Sequence, residues 1–262
     1  AVAAIDTALW DLRGLRNKTP LWKAVGGFSN RVPLYDTEGG WLHIDTETLV
    51  AGALESKKKG WSGVKVKIGK PSIAEDVERL QAVRDAVGPD MDIMVDANQS
   101  MTLANARQRA EALHPVGLFW LEEPMPADDI TAHSILSAST SIPIAVGESI
   151  YSAQMFQQYL HQNAAGVIQV DVARVGGITP WLKVAHLAET YNVTVCPHFL
   201  MELHVSLAAG IPNGGYVERI PQLTAVTTER MKIENGAAVP PDAPGLGIPW
   251  DFEAIEKMVV SS

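Results

Sequence analysis

The feature that most constrains this chain is a repeated alternation of short β-rich runs with amphipathic stretches after Gly27. The runs are "VPLYDT" from Val32, "GVKVKIG" from Gly63, "MDIMVDAN" from Met91, "GLFWLEEP" from Gly117, "IPIAVGES" from Ile142, "GVIQVDV" from Gly166, "NVTVCPH" from Asn192 and "YVERI" from Tyr216. Between them lie helical patterns such as "SIAEDVERLQAVRDAV" and "LANARQRAEALH", several with a Ser, Asp or Thr placed to cap. Eight strands separated by seven helices predict parallel pairing, because a return to the same sheet edge needs a crossover helix. The fold class is α/β, and a closed barrel is the economical solution. A doubly wound open sheet is the rival, but no G-x-G-x-x-G follows the first strand, and "RVGGIT" after the sixth is a weak substitute.

Composition narrows the partners. The chain has 262 residues, 47% of them hydrophobic, enough for one large core. Its 21 basic and 30 acidic residues give a formal net charge of −9 and no basic patch, which argues against nucleic acid. A single cysteine, Cys196, rules out an internal disulfide, and no apolar run reaches the roughly 18 residues expected of a membrane span. The expectation is a soluble cytoplasmic protein without a membrane partner. The opening "AVAAIDTALWDLRGLRNKTP" has no initiator Met and starts inside a helical pattern, with Ile5, Leu9, Leu12 and Arg16 at helical spacing. It reads as the middle of a longer protein, with residues before Ala1 removed or not included.

Polar residues collect at the C-terminal ends of the strands: Asp96 on the third, Glu122 or Glu123 on the fourth, Glu148 on the fifth, Asp171 on the sixth, His198 on the seventh and Glu218 on the eighth. In a barrel these ends share one rim, where such enzymes build active sites. The spacings 122 − 96 = 26 and 148 − 122 = 26 bring three acids to equivalent heights on consecutive strands. Such acids repel, and unless they share a cation at least one is driven to a raised pKa. Oxygen-only donors select a hard cation such as Mg²⁺. Singly, each acid reads more simply as a helix cap. Glu122 and Glu123 are neighbours on a strand and point to opposite faces, so one of the two at most enters the site. Lys65 and Lys67 share a face of the second strand; on a barrel strand covered on both sides their ammonium groups need anionic partners.

The set K-x-K, "VDAN", "LEEP", "GES", "D-x-x-R-x-G-G", "PHF" and "ER", in this order over nearly the whole chain, resembles the mandelate racemase subgroup of the enolase superfamily. The resemblance implies a modified TIM barrel of (β/α)7β type, an enzyme, and a Mg²⁺ held by Asp96, Glu122 and Glu148, with Glu123 in support. It implies Lys67 as the base on one face of the substrate, with Lys65 beside it lowering its pKa and facing the substrate carboxylate. His198, oriented by Asp171, works on the other face, and Glu218 hydrogen-bonds the developing enediolate or the carboxylate. It places the barrel at residues 31–225. Residues 1–30 are then the last helix and linker of an N-terminal α+β capping domain otherwise absent, and residues 226–262 are a segment returning towards that domain. Such a chain would leave part of an apolar rim exposed, favouring a homo-oligomer.

The stretches "YDTEGGWLH", "GVKVKIGKP", "VARVGGITPWLK" and "CPHFLMELHVSLAAGIP" are similar to galactarate/L-talarate dehydratases, a lyase class acting on hexarate diacids. The implied reaction is removal of a proton α to a carboxylate followed by dehydration to a keto-deoxy acid. Asn98, Arg174, Glu38 and His43 are candidate contacts for a polyol, and the last two read equally as solvated loop residues. Racemisation or epimerisation of a 2-hydroxy acid is the alternative, and a non-catalytic barrel that binds a metal or metabolite is the alternative of another class.

Overall fold

The computed structural model describes residues 1–258 and shows one parallel barrel wrapped by helices. Helix α1 (Val2–Asn17) and the short α2 (Leu21–Ala24) precede β1 (Val32–Asp36). Then come α3 (Thr46–Lys58), β2 (Gly63–Lys67), α4 (Ile73–Val87), β3 (Asp92–Asp96), α5 (Leu103–Leu113), β4 (Trp120–Glu122), α6 (Ile130–Ser137) and β5 (Ile144–Val146). The order continues with α7 (Ala153–His161), β6 (Val167–Ile168), α8 (Val172–Val175), α9 (Ile178–Thr190), β7 (Thr194–Val195), α10 (Met201–Gly210) and β8 (Val217–Arg219). All eight expected strands are present, and α8 is an extra short helix inserted after β6. Asp45, Ser72, Thr102, Asp129 and Ser152 cap α3 to α7 through their side chains, each worth roughly 0.5–2 kcal/mol.

Neighbouring strands from β1 to β7 pair in parallel and in sequence order, and β8 pairs with β1, which excludes the doubly wound alternative. The seam between β7 and β8 is the thinnest. There the Val195 N–H donates to the Asn213 carbonyl at 2.9 Å and the Gly215 N–H to the Val195 carbonyl at 2.8 Å. Glycine permits this approach, since a Cβ at position 215 would lie 2.7 Å from the Cys196 Sγ.

Strand alternation sorts the core into two parts. Outward residues such as Val66, Val95, Leu121, Ile144, Val146 and Ile168 pack under the helices. Each such burial stabilises by about 1.5–3 kcal/mol. Inward residues Tyr35, Met94, Trp120, Ala145, Val167 and Cys196 plug the middle of the barrel, with the Tyr35 and Trp120 rings edge-on at 5.3 Å. The plug makes the rim a floor-backed bowl rather than a pore.

The flanking segments behave differently from the barrel. Helix α1 forms where helical spacing predicts it, yet its apolar stripe is exposed, with Val2, Ile5 and Leu9 at 73%, 63% and 60%. The barrel side of α1 carries Asp6, which accepts the Thr179 N–H, Trp10, which donates to the Thr179 hydroxyl, and Gly14 against Gly245. Strands β9 (Ile233–Glu234) and β10 (Ala237–Ala238) form a hairpin that pairs antiparallel with Val32 and Pro33, at the barrel end away from the rim. The chain then returns to α1, where Asp11 accepts the Leu246 N–H, and ends its described part in α11 (Phe252–Met258). Among the described residues no helix is long and apolar enough to cross a membrane.

Candidate active site

Two residues above the plug, the same inward alternation that buries Tyr35, Met94, Trp120, Val167 and Cys196 and half-buries Tyr216 presents Thr37, Asp96, Glu122, Gln169, His198 and Glu218. Asp96 and Glu122 are register partners across β3 and β4, and Glu148 follows the end of β5. Each offers an oxygen, and these oxygens lie within 4.8 Å of one another. The expected three acids therefore converge.

The two lysines supply the required cations. Lys67 is the register partner of Asp96 and forms an ion pair with it. Lys65 is 2% exposed, with its Nζ 3.0 Å from Glu122 Oε1, 2.9 Å from Glu218 Oε1 and 3.8 Å from Asp96 Oδ2. Burial pulls the Lys65 pKa down, but Glu122 and Glu218 carry it well above its ordinary value, so the group is an ammonium. Glu122 shows the repulsion that the 26-residue spacing implies: burial, then the Asp96 charge, push its carboxyl up to about 8. The donor set, three carboxylates with no sulfur or nitrogen, matches a hard divalent cation, and excess negative charge in a buried centre is what such an ion relieves.

At the other end of the centre stands His198. Its Nδ1 lies 2.9 Å from Asp171 Oδ2 and its Nε2 3.1 Å from Glu148 Oε2. Burial works against charging the ring, yet the hydrogen bond to Asp171 and the Glu148 charge raise its pKa above the usual imidazole value. Asp171 also caps α8, its Oδ1 accepting the Ala173 and Arg174 N–H groups at 2.7 and 3.1 Å. The extra helix thereby holds the carboxylate that holds the imidazole. Glu218 is buried, which alone would raise its pKa, but Lys65 and His198 keep it at about 2. It accepts from the Thr37 hydroxyl at 2.6 Å and the Phe199 N–H at 3.0 Å.

Glu123 follows a different course from its strand neighbour. It lies just past the end of β4 with a φ of +36°, outside the carboxylate centre, and its carboxylate accepts from Gln99 Nε2 at 2.9 Å and from the Ser149 N–H and hydroxyl at 3.2 and 3.1 Å. Burial, then the nearby Glu148 charge, push it up to about 7. It thus braces the residue following Glu148 from behind. Asn98, Gln99, Phe199 and Leu200 also hold left-handed φ values at the rim, a concentration of backbone strain characteristic of functional sites.

Among the candidate polyol contacts, Arg174 reaches the rim and donates to the Glu148 carbonyl at 2.6 Å. Asn98 is exposed beside Asp96, to whose Oδ1 it donates its backbone N–H at 2.8 Å. Glu38 and His43 are exposed in the loop between β1 and α3 and are not brought into the carboxylate centre. Sequence reasoning missed Trp120, whose Nε1 donates to Glu122 Oε2 at 3.1 Å, although two residues apart on a strand is a readable same-face signal. It also missed Thr37, Gln99, Ser149 and His204, whose roles depend on partners from other elements. The exposed apolar surface expected at the rim is Trp41 and Tyr151; the larger stripe lies on α1.

A parallel barrel with a carboxylate centre on its C-terminal rim, flanked by a lysine and a histidine, defines the class of protein. The chain belongs to the family described as Enolase C-terminal domain-like, which matches residues 48–255. It is 37% identical over 254 residues to an L-talarate/galactarate dehydratase of Salmonella typhimurium, covering 97% of this chain and 64% of that enzyme. It is 36% identical to a 3,6-anhydro-alpha-L-galactonate cycloisomerase of Streptomyces coelicolor, over 99% of this chain and 72% of the relative. A crystal structure of L-talarate dehydratase from Polaromonas sp. JS666 complexed with Mg and L-glucarate superimposes with a TM-score of 0.93 at 38% identity, covering 97% of this chain and 71% of that one.

Proposed function

We propose that this barrel removes the proton α to the carboxylate of an acid sugar, with Mg²⁺ held by Asp96, Glu122 and Glu148, and that dehydration to a keto-deoxy acid follows. One observation carries the reading: the two candidate bases each contact a different acid of one carboxylate centre, Lys67 on Asp96 and His198 Nε2 3.1 Å from Glu148. The hexarate substrate class rests on the likeness to the talarate and galactarate dehydratases.

An α-proton of this kind is weakly acidic because its removal adds a second negative charge to the carboxylate. Bound Mg²⁺ would supply positive charge against those oxygens. Lys65 adds a buried ammonium held in place by Glu122 and Glu218, so little reorganisation is needed as charge develops. Lys67 acts here as the neutral amine, having given up the ammonium proton it holds when paired with Asp96; it takes the α-proton from one side and becomes an ammonium again. His198, held at Nδ1 by Asp171, presents Nε2 on the other and gives a proton to the departing β-hydroxyl, which leaves as water. Arg174 and Asn98 meet the polyol hydroxyls at the rim.

The test is a panel of hexarates incubated with the protein and Mg²⁺ in deuterated water, following α-proton exchange by NMR and keto-deoxy product by a carbonyl reagent. Lys67→Ala should abolish exchange for one configuration at the α-carbon and His198→Asn for the other. Asp96→Asn, Glu122→Gln and Glu148→Gln should each lose tight Mn²⁺ binding, whereas Glu123→Gln should keep it. Exchange with no acid sugar under saturating Mg²⁺ would refute the reading. Exchange without keto-deoxy product would make the reaction an epimerisation.

A further inference from the structure

His204, on α10, is a fully buried imidazole that touches neither the carboxylate centre nor solvent. Its ring joins two loops. Nε2 receives the Val172 N–H at 3.2 Å, and Nδ1 lies 2.6 Å from the Phe199 carbonyl oxygen. An amide N–H can only donate and a carbonyl can only accept, so these partners dictate a neutral ring with its proton on Nδ1. Burial agrees, lowering the ring's pKa to about 4 against the pull of Asp171 and the Phe199 carbonyl. A second proton would point an N–H at the Val172 N–H.

The two anchored residues are the ones that follow Asp171 and His198 directly. Position 199 needs an anchor: Phe199 and Leu200 both have left-handed φ, +62° and +33°, a strained backbone for residues that carry a side chain. Glu218 accepts the Phe199 N–H and the His204 Nδ1–H donates to the Phe199 carbonyl, so this turn is held on both sides. On the strand side, Trp181 packs near the His204 ring at 6.3 Å and donates its Nε1 to the Val170 carbonyl at 3.1 Å, fixing the residue before Asp171.

We infer that His204 is a positioning residue for the Asp171–His198 pair, a neutral imidazole that sets the distance between the two loops and so the aim of the His198 ring. The consequence for catalysis rests on the assignment of His198 to one face of the substrate made above; the geometric role does not. A carboxamide can reproduce one donor and one acceptor, whereas an alkyl group can reproduce neither.

The experiment compares His204→Gln and His204→Leu with the unaltered protein. The substrate-free readouts are the ¹⁵N pattern of the His204 ring, the downfield resonance of the His198 Nδ1 proton bonded to Asp171, Tm and Mn²⁺ affinity. The activity readout is α-proton exchange on a matched pair of epimers. His204→Leu should lose the His198 resonance and slow exchange on the His198 face by roughly tenfold or more, as misplacement of a reacting group by a fraction of an ångström does. Mn²⁺ affinity and exchange on the Lys67 face should stay close to those of the unaltered protein, and His204→Gln should restore much of the loss. A parallel fall on both faces, tracking Tm, would overturn the inference in favour of a merely structural role, as would an unchanged His198 resonance. Should His204→Leu fail to fold, His204→Gln and the ring pattern decide: an Nε2-protonated His204 overturns it. Absence of exchange on either face in the unaltered protein would count against the proposed function and leave the NMR comparison to judge the positioning role.

Discussion

Replacing Lys65 by methionine would remove the ammonium that three buried carboxylates share, while nearly preserving the side chain's volume. In the structure its Nζ lies 3.0 Å from Glu122 and 2.9 Å from Glu218, all three groups being 2% exposed or less. Removing one partner of a buried ionic cluster typically costs about 3–5 kcal/mol, because the remaining charges stay desolvated. For a chain of this size that corresponds to a fall in Tm of roughly 6–20 °C. A divalent cation bound by the same carboxylates should offset much of this loss. A ligand at 100 times its Kd stabilises by about 2.7 kcal/mol. Lys65→Met should therefore show a large Tm deficit in EDTA and a greater gain on adding Mg²⁺ than the unaltered protein shows, measured by calorimetry. A deficit below about 1 kcal/mol in EDTA, within the range of ordinary surface pairs, would refute the claim that Lys65 neutralises this centre. An equal Mg²⁺ gain in both proteins would refute the claim that ammonium and metal answer to the same carboxylates.

Three further outcomes are expected. Arg109→Met leaves Asp76, wholly buried and holding the Gly69 and Lys70 N–H groups after β2, without its main counter-charge; urea unfolding should show a loss of about 3–5 kcal/mol, recovered only in part in the Asp76→Leu/Arg109→Met double variant because Arg79 and the two N–H groups lose their partner there. Gly147→Ala places a Cβ 2.4 Å from the Gln169 backbone carbon at a φ of +155°, so it should displace Glu148, weaken Mn²⁺ binding and lower stability by about 1–3 kcal/mol or more. Cys196 is buried and its thiol is pushed up to about 12 by that burial, so a thiol reagent should modify it only after denaturant is added, and rapid labelling of the native protein would contradict the plugged barrel interior.

Much of the site was readable because strand arithmetic is rigid. Inward residues recur every second position and strand ends recur every strand-helix unit, so Asp96, Glu122, Glu148, Lys65, Lys67, Asp171, His198 and Glu218 fall onto one rim once a barrel is assumed. Alternation correctly kept one of Glu122 and Glu123 out of the carboxylate centre, but it did not say what Glu123 would hold: a left-handed backbone at the strand end sets its side chain on Gln99 and Ser149. Local sequence carries no mark of that turn. Glu38 and His43 stay open as polyol contacts or solvated loop residues, as the sequence left them: both are exposed in the loop after β1, and a polar loop residue near a strand end has no period to say whether it faces the bowl or water.

The sequence by itself determined the class of fold, the order of the elements and the residues that meet at the rim, since these follow from hydrophobic periodicity and parallel connectivity. Only the tertiary structure decided how they pair. It seated Lys65 between Glu122 and Glu218, set Lys67 on Asp96 and His198 against Glu148, and turned the apolar stripe of α1 outward while Asp6, Trp10 and Gly14 met the barrel. It also brought His204 under the Asp171–His198 pair. The physical reason is one of range: periodicity is a property of adjacent residues, whereas a hydrogen bond or ion pair between strands depends on where two distant segments come to rest.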